Sequence, residues 1–402
     1  MNPAFRVALA LALAIGSGSA IAQQDSYAAN RQKALALEQQ GKLSEAASEW
    51  HALAKEYPKQ PEPYAQLGLI EARQEHYKEA VPLYRKALEM NPNVPGLRMN
   101  LGLALFKDGQ LNEAIPEFEN LLKNAAPDSP NAQRLNILIG MAHYGLGQYQ
   151  DAVPYLKTAA GQDKANLPLR LALAHSCLWS KQLQCVMDVY HEILSLNAES
   201  AEADMIAGEA LDEMKDNEGS TKMFRAAVAA NPKEPNAHFG LGYLLWTQKK
   251  YPEAVAQFQA ELANDPGHAQ SMLYEGDSDL QLNKPDEAKP LLENAVKLDP
   301  SQWLAHLDLG IIDSDAGRNE EALRELELAA KQQPNDVNVH WRLARLYRTM
   351  GRKDEAKAEF DKASKLNKAA DEDLYQKIAH GRQNGAPTPE AGQPAPATTP
   401  NQ

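Results

Sequence analysis

Proline returns every 34 residues at Pro232, Pro266, Pro300 and Pro334, and no other feature of this chain limits its fold as strongly. Each of the last three closes a stretch with one internal order. Leu241-Gly242, Glu275-Gly276 and Leu309-Gly310 stand 25 and 24 residues before it, an Ala 12 before it (Ala254, Ala288, Ala322), and Phe258, Leu292 or Leu326 four after that Ala. A fixed period of roughly 20 to 50 residues marks a solenoid, in which no unit buries its apolar face alone and each stacks on its neighbours. The chain therefore predicts a linear array and not the two or three globular domains that its 402 residues would otherwise suggest.

The register extends outwards. Pro58 and Pro92 keep the spacing of 34, while Pro92 and Pro130 stand 38 apart, so four extra residues are expected in a loop at 126–132. Ten blocks result, the first at 27–60 and the last at 337–370, giving an array over about 27–368. Each reads as two helices. In the seventh, Phe239, Leu241, Leu244 and Leu245 mark a first helix and Gln248 to Tyr251 a turn. Pro252 then opens a second helix, where a missing N–H costs nothing, with Ala254, Val255, Phe258 and Leu262 as its apolar stripe. Asn264-Asp265-Pro266 ends it. Gly68, Gly102, Gly140, Gly208, Gly242, Gly276 and Gly310 share one position of the first helix. Gly costs up to about 1 kcal/mol inside a helix, so its recurrence at one register predicts a close helix crossing.

The ends read differently. Arg6, the apolar run Val7 to Ile15 and the small residues Ala20-Ile21-Ala22 predict a cleavable signal peptide over 1–22, hence an exported protein, periplasmic or secreted. No later stretch is apolar enough for a transmembrane helix. Residues 369–383, with Leu374 and Ile378, predict a capping helix, and 384–402, with five prolines, a disordered tail. The balance of 41 Lys or Arg against 54 Asp or Glu, −13 overall, argues against nucleic acid as a partner.

No constellation for catalysis, cofactor or metal emerges. His191-Glu192 is followed by Ser195 where a zinc-peptidase helix needs its second His. His238, His306 and His340 recur at one block position, which repeat register explains better than metal ligation. Cys177 and Cys185 flank the turn of the fifth block on opposite arms of one hairpin. In an oxidising compartment they are expected to form a disulfide, the alternative being two small buried thiols.

The blocks resemble the tetratricopeptide repeat family, most fully in the second, with Tyr64, Leu67, Gly68, Tyr77, Ala80, Tyr84, Ala87 and Pro92 in phase. The resemblance covers residues 27–370. It implies an all-α fold, a right-handed α-solenoid superhelix of antiparallel helix pairs, with the first helices lining a concave groove for a protein or peptide. The family's groove positions fall on Met99, Leu103 and Phe106 in block three and on Ile137, Met141 and Tyr144 in block four. They continue on Leu171, His175 and Trp179 in block five, Met205 in block six, and Phe239, Tyr243 and Trp246 in block seven. Glu209, Asp212, Asp277, Asp308 and Asp315 would make parts of that groove acidic. Arg342, Arg345 and Arg348, three apart on one helix, are a candidate anion contact, with a solvated face as the plainer reading. The family's carboxylate clamp is not matched, since only Asn100 and Lys107 approach it. The expectation is an exported, non-enzymatic scaffold in a cell-envelope or secretion assembly. The alternative is a polysaccharide-binding or glycan-export accessory protein that stacks sugars on the same aromatic face.

Overall fold

The computed structural model describes the backbone of residues 26–196 and 200–384, with side chains to Ala369 and at Glu372. The expected signal peptide at 1–22 and all but the first residue of the tail at 384–402 lie outside the described residues. Twenty α-helices and no strand occur among the described residues, as ten consecutive pairs in the register that the prolines set. The chain divides into two compact units, ending at Met223 and beginning at Phe224, and each is described by itself.

The first unit runs α1 (26–39), α2 (Leu43–Glu56), α3 (Pro61–Arg73), α4 (Tyr77–Met90), α5 (Leu97–Lys107) and α6 (Leu111–Leu122). It continues with α7 (Pro130–Gly145), α8 (Tyr149–Gln162), α9 (Leu167–Trp179), α10 (Leu183–Ser195), α11 (Ala201–Glu213) and the start of α12 (Asn217–Ala230). The second unit holds the rest of α12, then α13 (Ala237–Thr247), α14 (Tyr251–Asn264), α15 (Ala269–Gln281) and α16 (Pro285–Leu298). It ends with α17 (Trp303–Asp315), α18 (Asn319–Gln332), α19 (Val337–Thr349) and α20 (Lys353–Asn384).

The extra residues before Pro130 are only partly loop. Ser129 accepts a hydrogen bond from the Ala132 N–H and Pro130 takes the first helical position, so α7 starts inside the expected 126–132 loop. The capping helix expected at 369–383 is not a separate helix: α20 continues unbroken for 32 residues through it.

One device closes every pair. The turn from odd to even helix carries a left-handed residue at the same register throughout: Gly41, Glu75, Gly109, Gly147, Lys181, Lys215, Lys249, Asn283, Gly317 and Gly351, with φ between 60° and 78°. At α13 the Lys249 N–H reaches the Trp246 carbonyl and the Lys250 N–H the Leu245 carbonyl, the paired bonds of a Schellman cap. Four of the ten positions hold Lys or Glu, where a Cβ is unfavourable.

The recurrent helix glycines answer to packing. A Cβ at Gly102 would lie 2.5 Å from the Phe118 ring and one at Gly310 2.6 Å from Leu326, the large residue of the even helix sixteen positions on. Those large residues, with Ala114, Ala288 and Ala322 beside them, are at most 1% exposed. At roughly 25 cal/mol per Å² of apolar area buried, this repeated lock is the main driving force for each pair.

Candidate functional site

Two aromatic clusters form on the odd helices, one in each unit. In the first, Tyr144 near the end of α7, His175 and Trp179 on α9, and Tyr149 opening α8 close around the indole. Ring centroids lie 4.5 Å (Tyr149), 5.0 Å (His175) and 6.1 Å (Tyr144) from Trp179, with His175 and Tyr144 nearly parallel to it. Burial pushes the Tyr144 hydroxyl above its ordinary value. Trp179 is nevertheless 46% exposed. His175 Nε2 lies 2.9 Å from the Glu202 carboxylate of α11, and Lys181 reaches Glu213 at the other end of that helix. Glu209 lies between these two acids, an exposed residue whose carboxyl is partly desolvated and so pushed above the usual carboxylate value, against the pull of His175 and Lys181. The result is an open aromatic face bordered by carboxylates, a surface that suits a cation with an apolar stem.

The second cluster is closed. Phe239, Tyr243 and Trp246 of α13 pack with Tyr274 of α15; the Trp246 and Tyr274 centroids are 4.9 Å apart and edge-on, and Tyr243 and Tyr274 are 5.2 Å apart. The Trp246 indole N–H donates to Asp277, which meets Asp308 of α17. Asp277 and Asp308 were expected on an open acidic face and instead are buried, at 4% and 2% exposure; Asp315 alone of the three is exposed. Burial, and then the Asp277 charge and hydrogen bond, push the Asp308 carboxyl well above the usual carboxylate range, with Arg342 of α19 the opposing charge. Burial, with Tyr243 and Asp277 beside it, pushes the Tyr274 hydroxyl up to about 12.

The other expected groove residues are half-buried. Met99, Leu103 and Phe106 pack on the core of the first unit, and the Phe106 ring joins Phe118 of α6 (6.4 Å) and not the Trp179 stack. Ile137, Met141 and Leu171 pack on the core beneath that stack, and Met205 lies on α11. Arg342 and Arg345 lie over the Trp341 ring, at 5.5 and 4.7 Å, and Arg348 over Phe360 at 5.9 Å. The reading of the sequence did not single out Tyr149 or Tyr274. Tyr149 occupies the same block position as Tyr77 and Tyr251, which made it look like repeat consensus. Tyr274 lies off the family's groove positions and carried no signal.

Cys177 and Cys185 form a disulfide joining α9 to α10. His306 and His340 are buried, and each bonds through Nδ1 to a carboxylate of the paired even helix (Glu325, Glu359) and through Nε2 to a proline carbonyl (Pro300, Pro334). Each ring thus links consecutive repeats, and the hydrogen bond to Glu325 holds the His306 imidazole above its ordinary value. Among the described residues, no three His, Cys, Asp or Glu gather to hold a metal, and no helix is long and apolar enough to cross a membrane.

Three solved structures of similar architecture illustrate the likeness. YrrB, described as a tetratricopeptide protein with an unusual peptide-binding site, is 20% identical over 47% of this chain and 97% of its own, with a TM-score of 0.39. MamA from Desulfovibrio magneticus RS-1 is 19% identical over 43% of this chain and 98% of its own, TM-score 0.38. Naa15/Naa10 bound to HypK-THB gives 18% identity over 83% of this chain and 57% of that one, TM-score 0.41. No curated protein matches the sequence. Family models of the tetratricopeptide repeat match residues 65–130 and 207–269, 133–166, and 279–340 and 314–379. With ten helix pairs in the same register over more than half of its length matched, the chain belongs to the tetratricopeptide repeat family.

Proposed function

We propose that this chain is a non-enzymatic binding scaffold that engages an extended protein or peptide segment through the odd-helix face of its first unit. The observation that carries the reading is Trp179: three neighbouring rings hold it in place, yet nearly half of it faces solvent. A large aromatic group fixed and left open is what a recognition hot spot requires, because it loses little entropy on binding. The acids around it select the partner's chemistry. An Arg or Lys of the peptide would lay its stem on the indole and its charge towards Glu209. We further propose that the chain is exported through residues 1–22 to a cell-envelope or secretion assembly. The Cys177–Cys185 disulfide supports this, since such bonds persist in oxidising compartments.

Tryptophan fluorescence read as the difference between the wild type and Trp179→Ala tests the reading. Titration with an Arg-containing peptide is expected to change the Trp179 signal, with no response to an Asp-containing one, and binding is expected to vanish in the variant while its circular dichroism stays unchanged. A response to soluble oligosaccharides and not to peptides would replace this reading with glycan binding on the same stack. Equal peptide binding by wild type and variant would remove function from this face.

A further inference from the structure

The last repeat is built as though another helix should follow. Within each unit the first helix of a repeat packs against the preceding pair; α17 does so on α16, and α19 on α18. In the ninth repeat Leu307, Leu326 and Ala329 share a core cluster with Val339 and Leu343 of α19 and are 2%, 1% and 0% exposed. Their counterparts one period later are Trp341, Phe360 and Ala363. These line an open cavity of about 380 Å³ between α19 and α20, with Val337, Ser364 and Asn367, and Trp341 is 40% exposed.

This slot is also cationic in an acidic chain. Between Val337 and Lys368 stand nine Lys or Arg against four Asp or Glu, whereas the whole chain has 41 against 54. Arg345 and Arg348 pair with no carboxylate among the described residues; their guanidiniums lie over Trp341 and Phe360, the two rings of the cavity, and Lys368 closes one end.

The same chain carries a segment of the opposite kind. Helix α20 does not stop after one repeat length but runs 32 residues to Asn384. The part beyond the cavity begins Asp371-Glu372-Asp373 and continues with Leu374 and Ile378, four apart. It is helical, acidic at its start and apolar at helical spacing, which is what the slot lacks. Because α20 is unbroken, this segment extends away from its own cavity.

We propose that the slot is filled by residues 371–384 of a second copy, each chain lending its α20 extension to the other's terminal repeat. Such an exchange is isologous: two identical contacts form at once, and the assembly closes as a dimer. It also explains how a chain of net charge −13 could self-associate, since the cationic surface of its last repeat receives the other copy's acidic turn.

Light scattering on the full chain, combined with paired charge reversal, tests the proposal. The wild type is expected at twice the chain mass. Arg345→Glu with Arg348→Glu, and separately Asp371→Lys, Glu372→Lys and Asp373→Lys, should each weaken the dimer at least about 10-fold, since like charges then face each other. All ten helix pairs should stay folded, since Arg345, Arg348 and Glu372 are exposed. Mixing the two reversed variants should restore a mixed dimer, since both of its contacts then pair opposite charges, one of them reversed in sign and one as in the wild type. A wild type that stays at one chain mass overturns the proposal, and protection of the 371–384 amides in that monomer would show the segment folded back on its own slot. A dimer indifferent to both sets of reversals would also overturn it.

Discussion

Trp179 and Trp246 began as equivalent members of one expected groove, one register position apart in their repeats, and the fold gives them opposite roles. What separates them is the next odd helix. Facing Trp246, α15 offers Tyr274 edge-on at 4.9 Å and Asp277 as acceptor for the indole N–H, so the ring is half-buried and tied down. At the corresponding positions after Trp179, α11 has Ile206, 2% exposed in the core, and Glu209, which points to solvent. One cluster is therefore a packing device and the other an open surface. A position in the groove register says that a side chain lies on the odd-helix face, and its neighbour one repeat on decides whether that side chain is available.

The largest test of this contrast is truncation of each indole. Trp246→Ala should destabilise the second unit by about 3 kcal/mol, through lost packing and an orphaned Asp277, while Trp179→Ala should cost the first unit under 1 kcal/mol. Hydrogen exchange of α13–α15 amides against α7–α9 amides resolves the two units, and equal losses would dissolve the distinction.

Next in size is the disulfide, which belongs to the first unit alone. Reduction, or Cys177→Ser with Cys185→Ser, removes a closure across a separation of 8 residues. It should cost that unit about 2–3 kcal/mol and leave the second unchanged, as thermal unfolding with and without reductant would show.

The buried Asp308 carboxyl gives the second cluster a pH signature of its own. The folded value of Asp308 is raised above its unfolded value near 3.8, so its stabilising contribution is full below that value and is lost as pH rises through the folded one. Asp308→Asn, which keeps a donor towards Asp277, should therefore match the wild type in acid and exceed it by about 1–3 kcal/mol once the wild-type Asp308 loses its proton. Urea midpoints measured across pH would check this; a constant offset would show that Asp308 does not titrate in this way. His306 adds to the same slope: its Glu325 partner raises its folded value above 6.5, so that contribution too is lost as pH rises.

The smallest effects should be alike in both units. Lys181→Gly in the first and Lys249→Gly in the second should each stabilise by roughly 0.5–1 kcal/mol, the left-handed cost of a side chain less the added freedom of glycine in the unfolded chain. Chemical unfolding of the two variants provides the comparison.

The architecture was legible in the sequence because it is local and repeated. Proline, glycine and alanine at fixed spacings dictate helix ends and crossings within about one period, and ten copies average out local departures. The left-handed turn position was half visible, since five of its ten residues are glycine and the others give no sign. The site was less legible for a physical reason: exposure and protonation depend on side chains one repeat away, and a period reveals where a residue faces but not what faces it. Asp277 and Asp308 read as surface acids and are buried against each other, and Tyr149 and Tyr274 passed unmarked. The sequence by itself determined the pairs, their register and the odd-helix face on which both aromatic clusters lie. Only the tertiary structure decided that Trp179 stays open while Trp246 is closed, because that choice belongs to contacts between repeats.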